Sequence, residues 1–141
     1  MAEAGSAPGN KVEFELVAPE RLLASALVDM VVAPGEAGDF GVLPGHSLLM
    51  SLLRPGVLET WEGNQVTRRI FVAGGFAEAN ERGCTVLAEE AMPVEEIDLE
   101  RARQRLSDAE DDLREAKDDA ERDRAEREIR IAQALIQAAG G

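Results

Sequence analysis

Few side chains in this sequence could carry out bond chemistry. The chain has one histidine, His46, one cysteine, Cys84, and no tyrosine. A Ser-His-Asp hydrolase needs a nucleophile, a base and an orienting acid within hydrogen-bond reach, and a zinc site needs clustered Cys and His ligands. No pattern in the chain supplies either set. We therefore predict no catalytic residue and no metal site.

Two further features could suggest chemistry, but each has a simpler interpretation. Gly74-Gly75 is followed neither by a Lys nor by a helix start, as a phosphate-binding loop requires, so it predicts a bulge or a close backbone approach. Cys84 begins an apolar strand pattern that ends at Ala88, which predicts a small buried thiol. A single Cys allows no internal disulfide, and a cytosolic compartment fits.

Acidic residues dominate both parts of the chain, whose net charge is −13. Residues 1–92 hold 13 acidic and 6 basic side chains, a net −7, and residues 93–141 hold 15 and 9, a net −6. Such a chain repels the phosphates of nucleic acids and anionic lipids, so we expect neither as a direct partner. No run of 18 apolar residues occurs, which excludes direct insertion into a membrane.

The sequence pattern changes at Met92-Pro93. Before this point apolar residues alternate and Gly and Pro recur, whereas residues 94–139 contain neither Gly nor Pro and are densely charged. This change predicts a β-domain at 11–92 and a helical domain at 93–141. The first residues, 1–10, lack a basic region followed by an apolar core, so they predict a disordered leader rather than a signal peptide.

The β-domain shows eight or nine short apolar segments with turn signals every eight to twelve residues. One of them, 22–33, is interpreted as a single long strand, and 57–61 and 65–73 as a hairpin around Glu62-Gly63-Asn64. This spacing is typical of a sandwich or flattened barrel whose strands are mostly antiparallel. No βαβ unit of about 30 residues is present, which excludes a dinucleotide-binding fold of the Rossmann type.

The helical domain carries two apolar seams at heptad spacing. The first consists of Leu99, Ala102, Leu106, Ala109, Leu113, Ala116 and Ala120, and the second of Ala125, Ile129, Ala132 and Ile136. Two seams in tandem predict a helical hairpin that bends near 117–121. Because no Gly or Pro fixes that bend, a single helix of about 40 residues remains an alternative. On these patterns alone, the chain could be a β-sandwich adaptor with a coiled-coil arm.

Several motifs, in one order and at compatible spacing, resemble the epsilon subunit of F-type ATP synthase, which is the delta subunit in mitochondria. The resemblance covers about residues 11–138. Its motifs are a loop Gly38-Asp39-Phe40-Gly41-Val42-Leu43-Pro44-Gly45-His46, a turn Arg54-Pro55-Gly56, a strand break Val72-Ala73-Gly74-Gly75-Phe76 and a strand Thr85-Val86-Leu87-Ala88-Glu89.

The resemblance implies an α+β fold, a flattened antiparallel β-sandwich of ten strands followed by a C-terminal α-helical hairpin. It also implies a non-catalytic rotor subunit of the central stalk, which couples gamma to the ring of membrane c subunits. The family's c-ring contacts correspond here to Asp39 and His46; the alternative is that both only stabilise their loop. The expected location is peripheral, on the cytoplasmic face of the bacterial inner membrane.

An ATP-sensing module is the alternative function that the resemblance implies. Some bacterial members bind ATP through an I/L-D-x-x-R-A motif and arginines on the second helix, and 97–102 matches the motif. In such a site Arg101 would pair with a phosphate group of ATP, and Asp98 would accept a hydrogen bond from the base or the ribose. ATP is therefore a candidate ligand, although no cofactor is required, and the candidate residues are Asp98, Arg101, Arg127 and Arg130.

The sequence also departs from that ATP-binding pattern. Asp108 stands where the family has a further Arg, and Ile131 and Leu135 stand at two second-helix Arg positions. The competing interpretation is that Asp98 caps the helix and Arg101 is a surface residue of its first turn.

In the family the helical arm can also extend to the alpha/beta catalytic head, where basic side chains meet an acidic stretch of a beta subunit. Asp and Glu interleave the basic residues of this arm, and they weaken its attraction to an acidic partner. We therefore predict weak or absent inhibition of ATP hydrolysis. The candidate beta-subunit contacts are Arg114, Lys117, Arg122 and Arg124.

Overall fold

The computed structural model describes residues 10–19 and 21–140. Contacts divide the chain into two compact units, one that ends at Met92 and one that begins at Pro93. Of the predicted leader, 1–10, all but Asn10 lies outside the described residues.

Ten strands form the first unit. Their bounds are β1 Val12–Ala18, β2 Arg21–Val28, β3 Met30–Gly35, β4 Gly38–Val42, β5 Leu49–Leu52, β6 Gly56–Glu62, β7 Gln65–Ala73, β8 Phe76–Ala79, β9 Gly83–Leu87 and β10 Glu90–Pro93. One sheet has the strand order β2-β1-β9-β8-β5 and the other β10-β7-β6-β3-β4. The β1–β9 pair is parallel, whereas β1–β2, β3–β4, β3–β6, β5–β8, β6–β7 and β8–β9 are antiparallel. The predicted fold class is therefore confirmed.

The expected long strand at 22–33 is wrong. The chain changes sheets at Asp29, so β2 pairs with β1 in one sheet and β3 pairs with β4 and β6 in the other. Asp29 fixes this corner: one carboxylate oxygen accepts from Lys11 Nζ at 2.6 Å and the other from the Gly63 amide at 2.6 Å. These hydrogen bonds hold the pKa of Asp29 below its usual value.

The core lies between the sheets and follows the period of two that strands impose. Val12, Phe14 and Leu16 alternate along β1 and are each 1% exposed. They join a single apolar cluster with residues of the opposite sheet, including Val31 and Leu58. The inward rows of the two sheets therefore supply this cluster.

Gly75 marks the break between β7 and β8 that the glycine pair predicted. Its φ is +90°, and a Cβ atom placed there would lie 2.8 Å from the Leu87 carbonyl carbon, with the Leu87 oxygen closer still. The backbone of this bend can therefore approach β9 only because residue 75 has no side chain.

The second unit is a helical hairpin. After a short 3₁₀ turn at Val94–Glu96, α1 runs over Leu99–Glu115 and α2 over Asp119–Ala138. The alternative of one continuous helix is therefore wrong. The break lies at 116–118, where Ala116 is extended and Asp118 caps α2 by accepting from the Glu121 amide at 2.8 Å.

The two predicted seams differ in outcome. Ala102 and Ala109 of α1 and Ala125 and Ala132 of α2 are buried, as the heptad spacing predicted. In α2, however, the fully buried large side chains are Ile131 and Leu135, while Ile129 and Ile136 are only partly buried. The buried face of α2 therefore includes Ile131 and Leu135 in place of Ile129 and Ile136, since heptad spacing alone does not fix which side of a helix is buried.

Candidate functional site

A row of apolar side chains crosses the outer face of the first sheet, on the side away from the core. The register pairs each member with the next across all five strands. We call it the apolar row, and its members are Leu22, Val17, Leu87, Phe76 and Leu52.

The apolar row is accessible. Leu52 is 64% exposed, Leu22 56% and Leu87 39%, while Val17 and Phe76 are partly buried. A contiguous apolar surface of this kind is typical of a protein-binding site rather than of a scatter of single exposed residues. Because the five side chains stand on paired strands, the surface is preformed.

The neighbouring row on the same face is polar, which limits the width of the apolar surface. Glu15 pairs with Ser25 on one side and Thr85 on the other, and Glu78 pairs with Thr85 and Met50. Two carboxylates therefore border the apolar row. An apolar strip beside acidic groups can hold a partner's apolar ridge and set its direction through charge.

The predicted c-ring contacts lie on and just after β4. Arg54 holds Asp39: its Nη2 donates to Asp39 Oδ1 at 2.5 Å, and its Nη1 donates to the Gly35 carbonyl at 2.7 Å. Both side chains of the pair are exposed. Asp39 therefore has an internal partner, which supports a role in fixing the loop and leaves the carboxylate open to a neighbour.

His46 lies in the turn between β4 and β5. Its amide donates to the Leu43 carbonyl at 3.2 Å, and its Nδ1 lies 2.6 Å from the Ser47 carbonyl oxygen. The turn also exposes Leu43 and Leu48, at 56% and 76%. This segment thus offers polar and apolar groups to a partner, and the c-ring role of Asp39 and His46 stays a prediction.

Asp98 and Arg101 begin α1, and the structure uses the first as the cap. Asp98 Oδ1 accepts from the Arg101 amide at 3.2 Å, as the capping interpretation predicted. The Arg101 side chain is exposed and lines a groove between α1 and α2, together with Gln104, Arg105, Asp108, Asp112 and Glu128. The groove therefore combines two guanidinium groups with three carboxylates.

The remaining candidate ATP residues, Arg127 and Arg130, lie on α2 and do not line this groove. Ile131 and Leu135, at the positions where the family has Arg, are buried and cannot bind phosphate. Of the four candidates, only Arg101 therefore lines this groove. ATP binding stays a prediction.

The four candidate beta-subunit contacts lie near the end of the hairpin where the chain turns. Arg114 pairs with Asp111 within α1, and Arg122 Nη1 donates to Asp119 Oδ1 at 2.8 Å within α2. Lys117 is exposed in the turn. Arg124 lines a groove whose other charged residues are all acidic, namely Asp112, Glu115, Glu121 and Glu128.

Sequence reasoning missed the apolar row and the pairing of Arg105 with Glu128 across the hairpin. Both depend on which residues stand opposite each other, and a sequence does not state the register of its strands and helices. A partial signal existed for the row: Leu48, Met50 and Leu52 alternate in a segment whose composition is mostly apolar, and all three are exposed.

The thiol of Cys84 is inaccessible. Cys84 is buried, and loss of solvation raises its pKa to about 12, so the thiol is protonated at neutral pH. The described residues contain no cluster of three or more potential metal ligands. Among the described helices, none has the length and hydropathy needed to cross a membrane.

Comparison with known proteins agrees with this architecture. Residues 11–94 match the family model described as ATP synthase, Delta/Epsilon chain, beta-sandwich domain. The ATP synthase epsilon chain of Rhodospirillum rubrum is 54% identical over 129 residues, which are 92% of this chain and 96% of the relative. That of Paramagnetospirillum magneticum is 48% identical, over 91% and 96%.

Solved structures extend the likeness to the helical hairpin. A chain of the Euglena gracilis mitochondrial ATP synthase structure of OSCP, F1 and c-ring superposes with a TM-score of 0.78 at 28% identity, over 98% of this chain and 86% of that one. A chain of the Tetrahymena thermophila mitochondrial ATP synthase central stalk and c-ring shares the fold, with a TM-score of 0.70 at 17% identity, over 92% and 96%. With family model, relatives and structure in agreement, this chain belongs to the delta/epsilon chain family of ATP synthase.

Proposed function

We propose that the chain is a non-catalytic subunit of the central stalk of an F-type ATP synthase, where it joins the gamma subunit to the c-ring. The apolar row carries this proposal, because a rotor subunit needs a preformed, rigid docking surface and no reactive side chain. Gamma is the proposed occupant of the row. The strands beneath the row are paired to one another, so a load applied there passes into the whole sheet.

The β4 region is the proposed contact with the c-ring. Asp39 and His46 supply hydrogen-bonding groups, while Leu43 and Leu48 supply exposed apolar surface. Because Arg54 anchors Asp39, the segment meets its partner with little loss of side-chain freedom. The subunit would then lie at the membrane as a peripheral protein, on the cytoplasmic face of a bacterial inner membrane.

Disulfide cross-linking in the assembled complex tests both contacts. In a Cys84→Ala background, Asp39→Cys is expected to cross-link to a Cys in the polar loop of the c subunit, and Leu52→Cys to gamma. Asn64→Cys, in the exposed turn between β6 and β7, is the matched control and is expected to cross-link to neither. Absence of both cross-links, in a complex that contains the chain, contradicts the proposed role.

The helical arm is the proposed regulatory part, with a weak effect on ATP hydrolysis. Removal of residues 93–141 is expected to raise the ATPase rate of the assembled complex by less than about twofold, since interleaved acids offset the arm's attraction to an acidic beta-subunit surface. Steady-state ATPase assays of complexes with matched subunit content measure this. A rise of tenfold or more contradicts the prediction.

A further inference from the structure

Arg105 of α1 and Glu128 of α2 form a two-pronged ion pair across the hairpin. Arg105 Nε lies 3.0 Å from Glu128 Oε1, and Arg105 Nη2 lies 3.0 Å from Glu128 Oε2. The side chains are 29% and 44% exposed, so water covers only part of the pair. Two parallel hydrogen bonds fix both distance and orientation, which a single contact does not.

This pair differs in kind from two other ion pairs of the hairpin. Arg114–Asp111 and Arg122–Asp119 each join residues three apart on one helix. Such pairs support a helix whether or not it has a neighbour. The pair between Arg105 and Glu128 forms only when α1 and α2 lie side by side. It therefore stabilises the closed hairpin and neither helix alone.

The groove around the pair is a poor place for an anion. Glu128 already occupies two donors of Arg105, and Asp108 and Asp112 add further negative charge to the lining. A phosphate would have to displace Glu128 and leave a partly buried carboxylate without its partner. The positive charge of Arg105 is therefore satisfied within the hairpin, and a nucleotide would have to compete with Glu128 for it.

We propose that Arg105 and Glu128 form a latch that holds the helical hairpin closed without a nucleotide. The turn supports this closed form, because Asp118 accepts from the Glu121 amide and Glu121 accepts from the Lys117 amide at 2.8 Å each. Only the consequence of the latch, a closed arm within the stalk, rests on the proposed function. Its test on the free chain is independent of that function.

Magnetic dipolar coupling between spin labels on the two helices tests the latch. In a Cys84→Ala background, Ser107→Cys and Glu126→Cys place labels on exposed positions, each two residues from the pair. Helix axes in contact lie about 8–10 Å apart. If α1 and α2 joined into one helix, the 19-residue separation would become about 28 Å. Dipolar coupling falls with the cube of the distance, so it is strong in the closed hairpin and weak in the open form. The fraction of molecules without strong coupling therefore reports opening.

Arg105→Gln and Glu128→Gln are each expected to raise the ratio of open to closed molecules about threefold to fivefold. The reversed pair, Arg105→Glu with Glu128→Arg, is expected to restore the original ratio. Arg114→Gln, which breaks a pair within α1, is the control and should leave it unchanged. Raising the salt to about 1 M is expected to raise this ratio in the unmodified chain, by no more than the substitutions do, and to have little effect on Arg105→Gln.

Three results would overturn the latch. An unchanged ratio in Arg105→Gln and Glu128→Gln overturns the latch, as does failure of the reversed pair to restore closure. If millimolar ATP closes either variant or further closes the unmodified chain, a ligand holds the arm and the proposal is overturned. The cross-link of Leu52→Cys to gamma reports the stalk role separately, so either proposal can fail while the other stands.

Discussion

Gly75→Ala is expected to lower the free energy of unfolding of the β-domain by about 3 kcal/mol or more. Residue 75 has a φ of +90°, which an L side chain rarely adopts, and its new Cβ would meet the backbone of Leu87 rather than a movable side chain. Relief would require β8 and β9 to separate, although they are paired from Phe76–Leu87 to Ala79–Cys84. The backbone between β7 and β8 therefore has little room to move away from the added methyl group.

Gly63→Ala is the matched control for this substitution. Gly63 also has a positive φ, +62°, but a Cβ atom added there would point into open space, with no neighbouring atom within 4 Å. We expect a cost of only about 1 kcal/mol there, from the backbone conformation alone. Urea unfolding followed by the fluorescence of the single Trp61 measures both variants. Equal losses of stability would show that the close approach to Leu87 is not the cause.

Leu52→Asp is expected to weaken binding of the chain to gamma by about tenfold to a hundredfold, or about 1.4–2.7 kcal/mol. The substitution places a charge in the apolar row beside Phe76, with which Leu52 is paired, and that charge loses water when a partner covers the row. The fold should tolerate it, since Leu52 is 64% exposed. Titration of purified gamma with the labelled chain measures the affinity.

Leu27→Asp provides the control for the added charge. Leu27 is 48% exposed on the same sheet, but it pairs with Glu13 and lies outside the apolar row. The affinity of this variant for gamma is expected to stay within about threefold of the original, an effect typical of a rim residue. Equal weakening by both substitutions would mean that net charge, rather than the row, governs docking.

Sequence patterns predicted those parts of the fold that depend on residues close together in the chain. Asp98 caps α1 as expected, and Ala102 and Ala109 line its buried face. The choice between a hairpin and a single helix stayed open because it depends on Asp118. Its side chain can cap a new helix by accepting from the Glu121 amide, but the same residue could also lie within one continuous helix. The corner at Asp29 was missed because Lys11 and Gly63, which hold it, are distant in sequence.

The candidate site was less predictable than the fold. The apolar row depends on the register of four strand pairings, and a bulge between Leu16 and Val17 shifts one of them. A slip of one residue would turn Val17 inward, so no pattern within one strand identifies the row. The latch has the same origin: Arg105 and Glu128 meet only through the packing of two helices.

The parallel pairing of β1 with β9 sets the order in which this protein can fold during synthesis. Phe14 must pair with Cys84 and Val17 with Leu87, so the first strand has no complete partner set until the chain has been made beyond β9. A nascent chain released by the ribosome before that point would expose an unpaired strand edge to other chains. The helices α1 and α2 follow β10 in the sequence, so all ten described strands have been synthesised before α1 begins.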